Sequence, residues 1–269
     1  MVDIKRLLIV CFFTMVINLI DTLSYSIRPS GVRTKKLAVS LSLFNIMAVI
    51  SRLSNMIQGP FLGSLVDISI KYKLVPLLGL NMRLVLLSAT MGAVIGAPLM
   101  PTFVSVFSAA INGMETAGSV PKLILMSLKW NNIKRIRSKI VLPRLSMLKG
   151  IKETNIPKSF LIYNVIITSI YTTGIISSLY AGALLPEFRT TASLLSGIVN
   201  GFATILLTVI VDPVAALITD RALAGKRTQQ DVNTMVVLLV FGKIIGTLLA
   251  QVVFEPASHL ILFVTKLIV

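Results

Sequence analysis

Long apolar runs, separated by short polar and basic breaks, dominate the pattern of this 269-residue chain. A transmembrane helix needs about 20 consecutive apolar residues, and six runs reach that length. They lie near residues 7–27, 37–58, 82–104, 159–183, 192–212 and 234–254. The pattern therefore predicts an all-α polytopic integral membrane protein with about six transmembrane helices, in a single integral membrane domain over residues 1–269.

Two further stretches, 59–81 and 101–127, are also rather apolar and leave the helix count open. Each is compatible with a re-entrant piece, a long helix extension or an extra span, so eight helices is the alternative to six. Proline has no backbone N–H and interrupts helical hydrogen bonding. Five prolines therefore predict breaks in this part of the chain: Pro60, Pro76, Pro98, Pro101 and Pro121.

Composition supports a membrane protein and reduces the number of possible ligands and cofactors. The chain is 55% hydrophobic, has a mean hydropathy of +0.90 and is 13% charged, whereas about a quarter of the residues in soluble domains are charged. The net charge of +16 lies in the breaks between the apolar runs, which indicates membrane orientation and contact with anionic lipids rather than with nucleic acid. With one cysteine, Cys11, and one histidine, His259, neither a metal site nor a cofactor is expected.

The basic residues also predict the orientation. The turns 28–36, 122–158 and 213–233 contain four, ten and three Lys or Arg residues, and six spans place all three turns on one side. Cytoplasmic loops carry an excess of Lys and Arg. We therefore expect these turns in the cytoplasm and both termini outside, so that the chain forms three hairpins that each run out, in and out.

The longest break, 115–158, is predicted to be a basic cytoplasmic loop. Within 129–158, Ile133, Ile136 and Ile140 recur at helical spacing among Lys and Arg residues. A basic amphipathic helix of this kind would lie in the inner headgroup layer. A solvated loop that merely follows the positive-inside rule explains the pattern equally well.

Polar residues inside the predicted spans recur on single helix faces. Such residues are costly in a bilayer and need partners or water, so stripes on several helices predict a shared hydrated cavity. The alternative is hydrogen bonding in a dry bundle, with close packing at Gly197/Gly201 and Gly242/Gly246. The stripes contain Asn18, Asp21 and Tyr25; Ser42, Asn45, Arg52 and Asn55; Ser196, Asn200, Thr204, Thr208 and Asp212; and Lys243, Thr247, Gln251, Glu255 and His259.

Five cations are the candidate substrate-binding residues. Counted from the basic turns, Arg28 and Arg33 lie inside, Lys243 at mid-depth, Arg52 higher and Arg83 near the outside. Such a series suits an anionic group that must cross the membrane. Alternatively, each cation snorkels towards the membrane interface or neutralises a local acid, for example Lys243 with Asp212 or Glu255. The supporting polar and acidic candidates are Asn18, Asp21, Asn45, Asn200, Asp212, Gln251 and Glu255.

Several segments resemble one known family over nearly the whole chain. These segments are DTLSYSIRPSGVRT at 21–34, LAVSLSLFN at 37–45, Ser51-Arg52, RTTAS at 189–193, Asp212-Pro213 and GTLLAQ at 246–251. In them the chain resembles the Amj family of bacterial lipid II flippases, the alternate to MurJ.

This resemblance implies a function in peptidoglycan synthesis, and so in cell wall biogenesis and cell shape. It implies transport, by a multi-pass protein of the bacterial cytoplasmic membrane, of the undecaprenyl-linked precursor lipid II from the inner to the outer leaflet. From the residues we add a mechanism, which is alternating access through a hydrated cationic cavity. The family supplies no catalytic motif, so the site residues remain a physical inference.

Two other function classes stay open from the residues. A membrane-embedded enzyme acting on lipid-linked phosphates would also need basic loops, but it should show clustered carboxylates or a catalytic histidine. The acids here are scattered, so we expect that the chain is not an enzyme. A lipid-binding membrane protein that transports nothing is the third class, and assembly into a homo-oligomer is also left open.

Overall fold

The computed structural model describes residues 4–118, Lys122 and 156–269. Most of the basic loop 115–158 lies outside these residues, so its boundaries and the amphipathic helix predicted at 129–158 stay predictions. The described residues form eight α-helices and no strand. The helices are α1 Ile4–Ser24, α2 Ile27–Thr34, α3 Leu37–Lys71, α4 Val75–Ala117, α5 Lys158–Leu184, α6 Arg189–Leu206, α7 Asp212–Leu223 and α8 Gln229–Ile268.

Six helical segments of the described chain are long and apolar enough to cross a membrane, which confirms the predicted fold class. The first segment joins α1 to α2, and the fifth joins α6 to α7 through a π-helical turn at Leu207–Val211. The uncertain stretches extend existing helices, because α3 continues to Lys71 and α4 continues to Ala117. Six spans therefore replace the alternative of eight in the described part of the chain.

Three of the predicted proline breaks are wrong. Pro60 lies inside α3, and Pro98 and Pro101 lie inside α4. A proline costs a helix one hydrogen bond and some bending, and transmembrane helices tolerate it because neighbouring helices and hydroxyl side chains compensate. Pro76 does mark a break, since it occupies the first turn of α4 directly after the turn that ends α3, while Pro121 lies outside the described residues.

The centre of the bundle is α8. In the most apolar 18-residue stretch of α8, 44% of the residues are buried inside the protein, against 17% in the corresponding stretch of α3 and 17% in that of the span of α6 and α7. Gly242 and Gly246 let α8 approach α5, because a Cβ atom on Gly246 would lie 2.7 Å from the Val165 carbonyl oxygen. At Gly197 and Gly201, in contrast, an added Cβ atom would have no neighbouring atom within 4 Å, so these two glycines do not provide the close packing considered for them.

Peripheral α3 is tied to the bundle through α1. The Gln58 side-chain amide of α3 donates to the Thr14 hydroxyl of α1 at 2.5 Å, and Leu62, Leu65 and Val66 belong to the same buried cluster as Val10. On the other side, α6 packs on α5. Helices α1 and α5 therefore form the base of the space between α3 and α6, and the candidate site lies in this space.

Candidate functional site

Two open cavities lie between the peripheral helices α3 and α6. We call the first, of about 330 Å³, the Gln58 cavity and the second, of about 280 Å³, the Lys243 cavity. Both contain side chains of α1, α3, α5 and α6, and the Lys243 cavity adds α2, the π-helical turn, α7 and α8. They share five lining residues, which makes them adjoining parts of one space: Asn18, Asp21, Arg52, Tyr171 and Thr172.

Lys243 reaches the Lys243 cavity from the central helix α8. Its side chain is 7% exposed, and its ammonium Nζ lies 3.5 Å from Oδ2 of Asp21 on α1. Burial of an ammonium in a bundle requires such a counter-charge. The partner differs from both acids considered from the sequence, because Asp212 and Glu255 pair with other cations.

Arg28 and Asp212 form the second ion pair of this cavity. The Arg28 Nη2 atom donates to Oδ1 of Asp212 at 2.7 Å, with side-chain exposures of 12% and 40%. The Arg28 guanidinium also lies over the ring of Phe44, 5.6 Å from its centroid. Its Nε atom is buried and has no hydrogen-bond partner. Asp212 directly follows the π-helical turn, a type of local distortion that is frequent at functional sites.

Arg52 is the third cation and lines both cavities from α3. It is exposed, and no described carboxylate forms an ion pair with it. Asp21 shares both cavities with Arg52, and the described contacts contain no ion pair between the two. The cavity thus combines three cations with two carboxylates, which leaves an excess of positive charge.

The polar stripe of α5 was missed in the sequence. Asn164, Thr168, Tyr171 and Thr172 all line the Lys243 cavity, and their spacing of four, three and one places them on one helix face. Asn164 is 1% exposed and donates from Nδ2 to the Leu239 carbonyl at 2.9 Å, while its Oδ1 has no partner. The sequence signal that could have revealed this stripe is an asparagine within an apolar span, followed by hydroxyl groups at helical spacing.

The structure divides the predicted site residues into two groups. One group lines the cavities: Arg28, Arg52, Lys243, Asn18, Asp21, Asn200 and Asp212. The other group lies elsewhere: Arg33, Asn45, Arg83, Gln251 and Glu255. Arg33 and Asn45 are exposed and line neither described cavity.

Arg83, Gln251 and Glu255 instead link α4 to α8. Arg83 donates to the Gln251 carbonyl at 2.9 Å and to Oε1 of Glu255 at 2.7 Å. The Gln251 side chain returns a hydrogen bond to the Arg83 carbonyl at 2.8 Å, and the guanidinium lies over the ring of Phe254. These contacts explain why polar residues at this end of the α8 stripe do not face the cavity.

One flank of the cavities is a seam between α3 and the span of α6 and α7. Polar residues on both sides of this seam are exposed, namely Arg52 on α3 and Thr204 and Thr208 opposite it. Within the described residues, one ion pair joins the two sides, between Arg189 and Asp67 at 2.8 Å. Its side chains are 49% and 58% exposed, and such a pair contributes little to stability, about 0–1 kcal/mol. We call this flank the α3–α6 seam.

Comparison with known proteins gives a consistent result over the whole chain. No solved structure matches. The curated lipid II flippase Amj of Bacillus subtilis (strain 168) is 41% identical over 262 residues, which cover 97% of this chain and 97% of that protein. The family profile described as Amj, alternate to MurJ, matches residues 13–265. This chain, whose described residues include six helices long and apolar enough to cross a membrane, therefore belongs to the Amj family.

Proposed function

We propose that this protein is a flippase that moves lipid II, the undecaprenyl-linked peptidoglycan precursor, from the inner to the outer leaflet of the bacterial cytoplasmic membrane. The observation that carries this proposal is the likeness to the lipid II flippase of Bacillus subtilis, which runs over 97% of both chains. The six long apolar helices of the described residues suit a multi-pass transporter. Its action would supply peptidoglycan synthesis and so support cell shape.

The headgroup is the part of lipid II that resists crossing, because moving a charged pyrophosphate and its sugars through hydrocarbon is very costly. A cavity with Arg28, Arg52 and Lys243 lowers this cost, since it replaces part of the headgroup's hydration by cationic donors. We assign these three side chains to the pyrophosphate. Arg33 and Arg83, which line neither described cavity, stay predictions as substrate contacts.

The α3–α6 seam supports a route for the lipid tail. A headgroup that enters the cavity sideways leaves its polyprenyl tail in the bilayer, so the seam must be open along the path of the tail. The two sides of the seam share one exposed ion pair among the described residues, Arg189–Asp67, whereas α8 is packed in the centre of the bundle. We infer that alternating access moves α3 and α6 relative to each other.

No catalytic step is part of this proposal, and the protein acts as a transporter rather than as an enzyme. No Walker motif is present in the sequence, so the proposal does not use ATP. An inside-negative membrane potential favours outward movement of an anion by about 2.3 kcal/mol per charge per 100 mV. The basic residues of the loop 115–158 and of the other two turns are proposed to hold the cytoplasmic side of the protein against anionic lipids.

Reconstitution tests this function directly. The purified full chain in liposomes should move fluorescent lipid II between leaflets, as measured by protection of the label from a membrane-impermeant quencher. Arg52→Ala and Lys243→Ala should each reduce the rate. Lys266→Ala, at an exposed lysine that lines neither described cavity, removes the same positive charge and should leave the rate unchanged. Covalent turnover of lipid II would indicate an enzyme. If neither turnover nor leaflet exchange occurs, the protein is a lipid-binding membrane protein and the proposal is wrong.

A further inference from the structure

The two acids of the Lys243 cavity form ion pairs with two of the three cations that we assign to the substrate's pyrophosphate. Asp21 faces Lys243 and Asp212 faces Arg28. Each acid and its cation come from different spans, so both pairs join the first span to the last two. A pyrophosphate diester carries a negative charge on each phosphorus. It therefore cannot take up both cations fully while both carboxylates keep them.

Neither pair uses all the donors of its cation. The Lys243 Nζ to Asp21 Oδ2 distance of 3.5 Å exceeds the usual 2.7–2.9 Å of a charge-assisted hydrogen bond. Arg28 donates to Asp212 from Nη2 alone, although a guanidinium has five donors, and its buried Nε has no partner. The cations are thus neutralised well enough to stay buried, and they retain donors that another oxyanion can take.

Arg52 supplies the charge that a phosphate meets first. It is exposed at the α3–α6 seam and has no carboxylate partner among the described residues. A phosphate held by Arg52 lies in the same space as Asp21 and Lys243, since all three line the Lys243 cavity. It can therefore approach Lys243 before Asp21 leaves, so that the buried ammonium is never without an anion.

We propose that Asp21 and Asp212 are internal competitors of the substrate's phosphates. Each carboxylate holds one cation until a phosphate replaces it, and each takes the cation back when the phosphate leaves. Transport requires a site that binds strongly enough to admit the substrate and weakly enough to release it. The two acids set that balance, and they make binding selective for a pyrophosphate, which can replace both, over a monophosphate, which can replace one. This inference rests on the proposed function.

Binding of short-chain probes to the full-length protein in detergent micelles tests the inference. Farnesyl pyrophosphate and farnesyl monophosphate replace the natural lipid, and calorimetry or thermophoresis gives the Kd. In Asp21→Asn and in Asp212→Asn, the Kd for farnesyl pyrophosphate should fall about tenfold, or about 1.4 kcal/mol. Lipid II movement in liposomes should become slower in the same variants, because release then limits the rate.

Asp220→Asn is the matched control. Asp220 lies on α7 with Asp212, two helical turns away, and is exposed outside both cavities. Its removal changes the net charge equally and should leave the Kd unchanged. The inference is overturned if both cavity variants bind the pyrophosphate no more tightly than the wild type, as expected of acids that only stabilise the fold. It is also overturned if Asp220→Asn tightens binding as much as the cavity variants do, since any loss of a negative charge from the protein would then have the same effect.

Failure of the proposed function gives a different result. If the wild type does not move lipid II in liposomes, the flippase assignment fails even though the short-chain probes still report on competition. If the wild type moves lipid II and the Kd values do not change in the cavity variants, the flippase stands and the competition is wrong. Having two independent variants keeps the test decisive when one of them does not fold.

Discussion

The ion pair between Lys243 and Asp21 allows folding and transport to be separated in one experiment. Lys243→Met removes the ammonium and keeps much of the side-chain volume, but it leaves Asp21 without the counter-charge at 3.5 Å. Breaking a fully buried pair costs about 3–5 kcal/mol. Because the Asp21 side chain is 31% exposed in an open cavity, we expect water to reduce the loss to about 1–2 kcal/mol.

The double variant Lys243→Met/Asp21→Asn removes both charges. Its free energy of unfolding should return to within about 0.5 kcal/mol of the wild type, since no unpaired charge remains. Transport should not return. A hydrogen bond to a charged group contributes about 1.5–3 kcal/mol, so loss of Lys243 should slow lipid II movement by about 10- to 100-fold in both variants.

Two measurements on the same preparations check this expectation. Titration with a denaturing detergent gives the free energy of unfolding, and quencher protection in liposomes gives the rate of leaflet exchange. The reasoning is refuted if Lys243→Met transports at the wild-type rate. It is equally refuted if the double variant regains both stability and transport, because Lys243 would then serve only to balance Asp21.

Three further predictions concern packing, movement and helix capping. Gly242→Ala should lower the free energy of unfolding by about 1–3 kcal/mol, because the added Cβ would overlap the Asn164 side-chain amide. Cross-linking Asp67→Cys to Arg189→Cys across the α3–α6 seam should reversibly reduce lipid II movement at least about tenfold, if that seam opens during transport. Thr228→Ala should cost about 1 kcal/mol of stability, since it removes the capping box with Asp231 at the start of α8.

Each of these predictions has its own control. Gly197→Ala adds the same methyl group where no atom lies within 4 Å, so it should leave stability unchanged or slightly raised; equal losses at both glycines would contradict the packing argument. A Cβ atom on Gly79 of α4 would lie 3.1 Å from the Tyr180 hydroxyl oxygen of α5, so cysteines at Gly79 and Tyr180 take the same cross-linker and should leave transport intact. Thr228→Ser keeps a hydroxyl cap, and it should retain the stability that Thr228→Ala loses.

Much of the fold was predictable because a bilayer imposes strong local requirements on each span. The core positions of all six spans follow from apolar length alone, and the described segments confirm them. The ends were less predictable. α3 and α4 continue through Pro60, Pro98 and Pro101, because helix packing compensates for a missing N–H and a single-sequence pattern does not contain that compensation.

The sequence predicted that the candidate site is cationic, but it predicted only some of the residues that belong to it. Intramembrane charge identified Arg52 and Lys243, the basic turn 28–36 supplied Arg28, and all three line one cavity. The same rule also selected Arg83, whose partners are Glu255 and the Gln251 carbonyl. Charge within a span shows that a side chain needs a partner, but it does not distinguish a partner on a packed neighbour from one across a cavity.

The sequence by itself determined that this protein is an α-helical membrane protein with about six spans and with cations and polar stripes inside them, since both follow from the cost of polar groups in hydrocarbon. The choice of six spans over eight in the described residues came from the structure, because α3 and α4 extend through the uncertain stretches. Only the tertiary structure decided that Lys243 pairs with Asp21 and Arg28 with Asp212, and that α3 and α6 leave a seam between them. Pairing across helices depends on rotation and crossing of whole helices. Those are set by the sum of many contacts, including the glycine contacts of α8 with α5, and no single stretch of sequence specifies them.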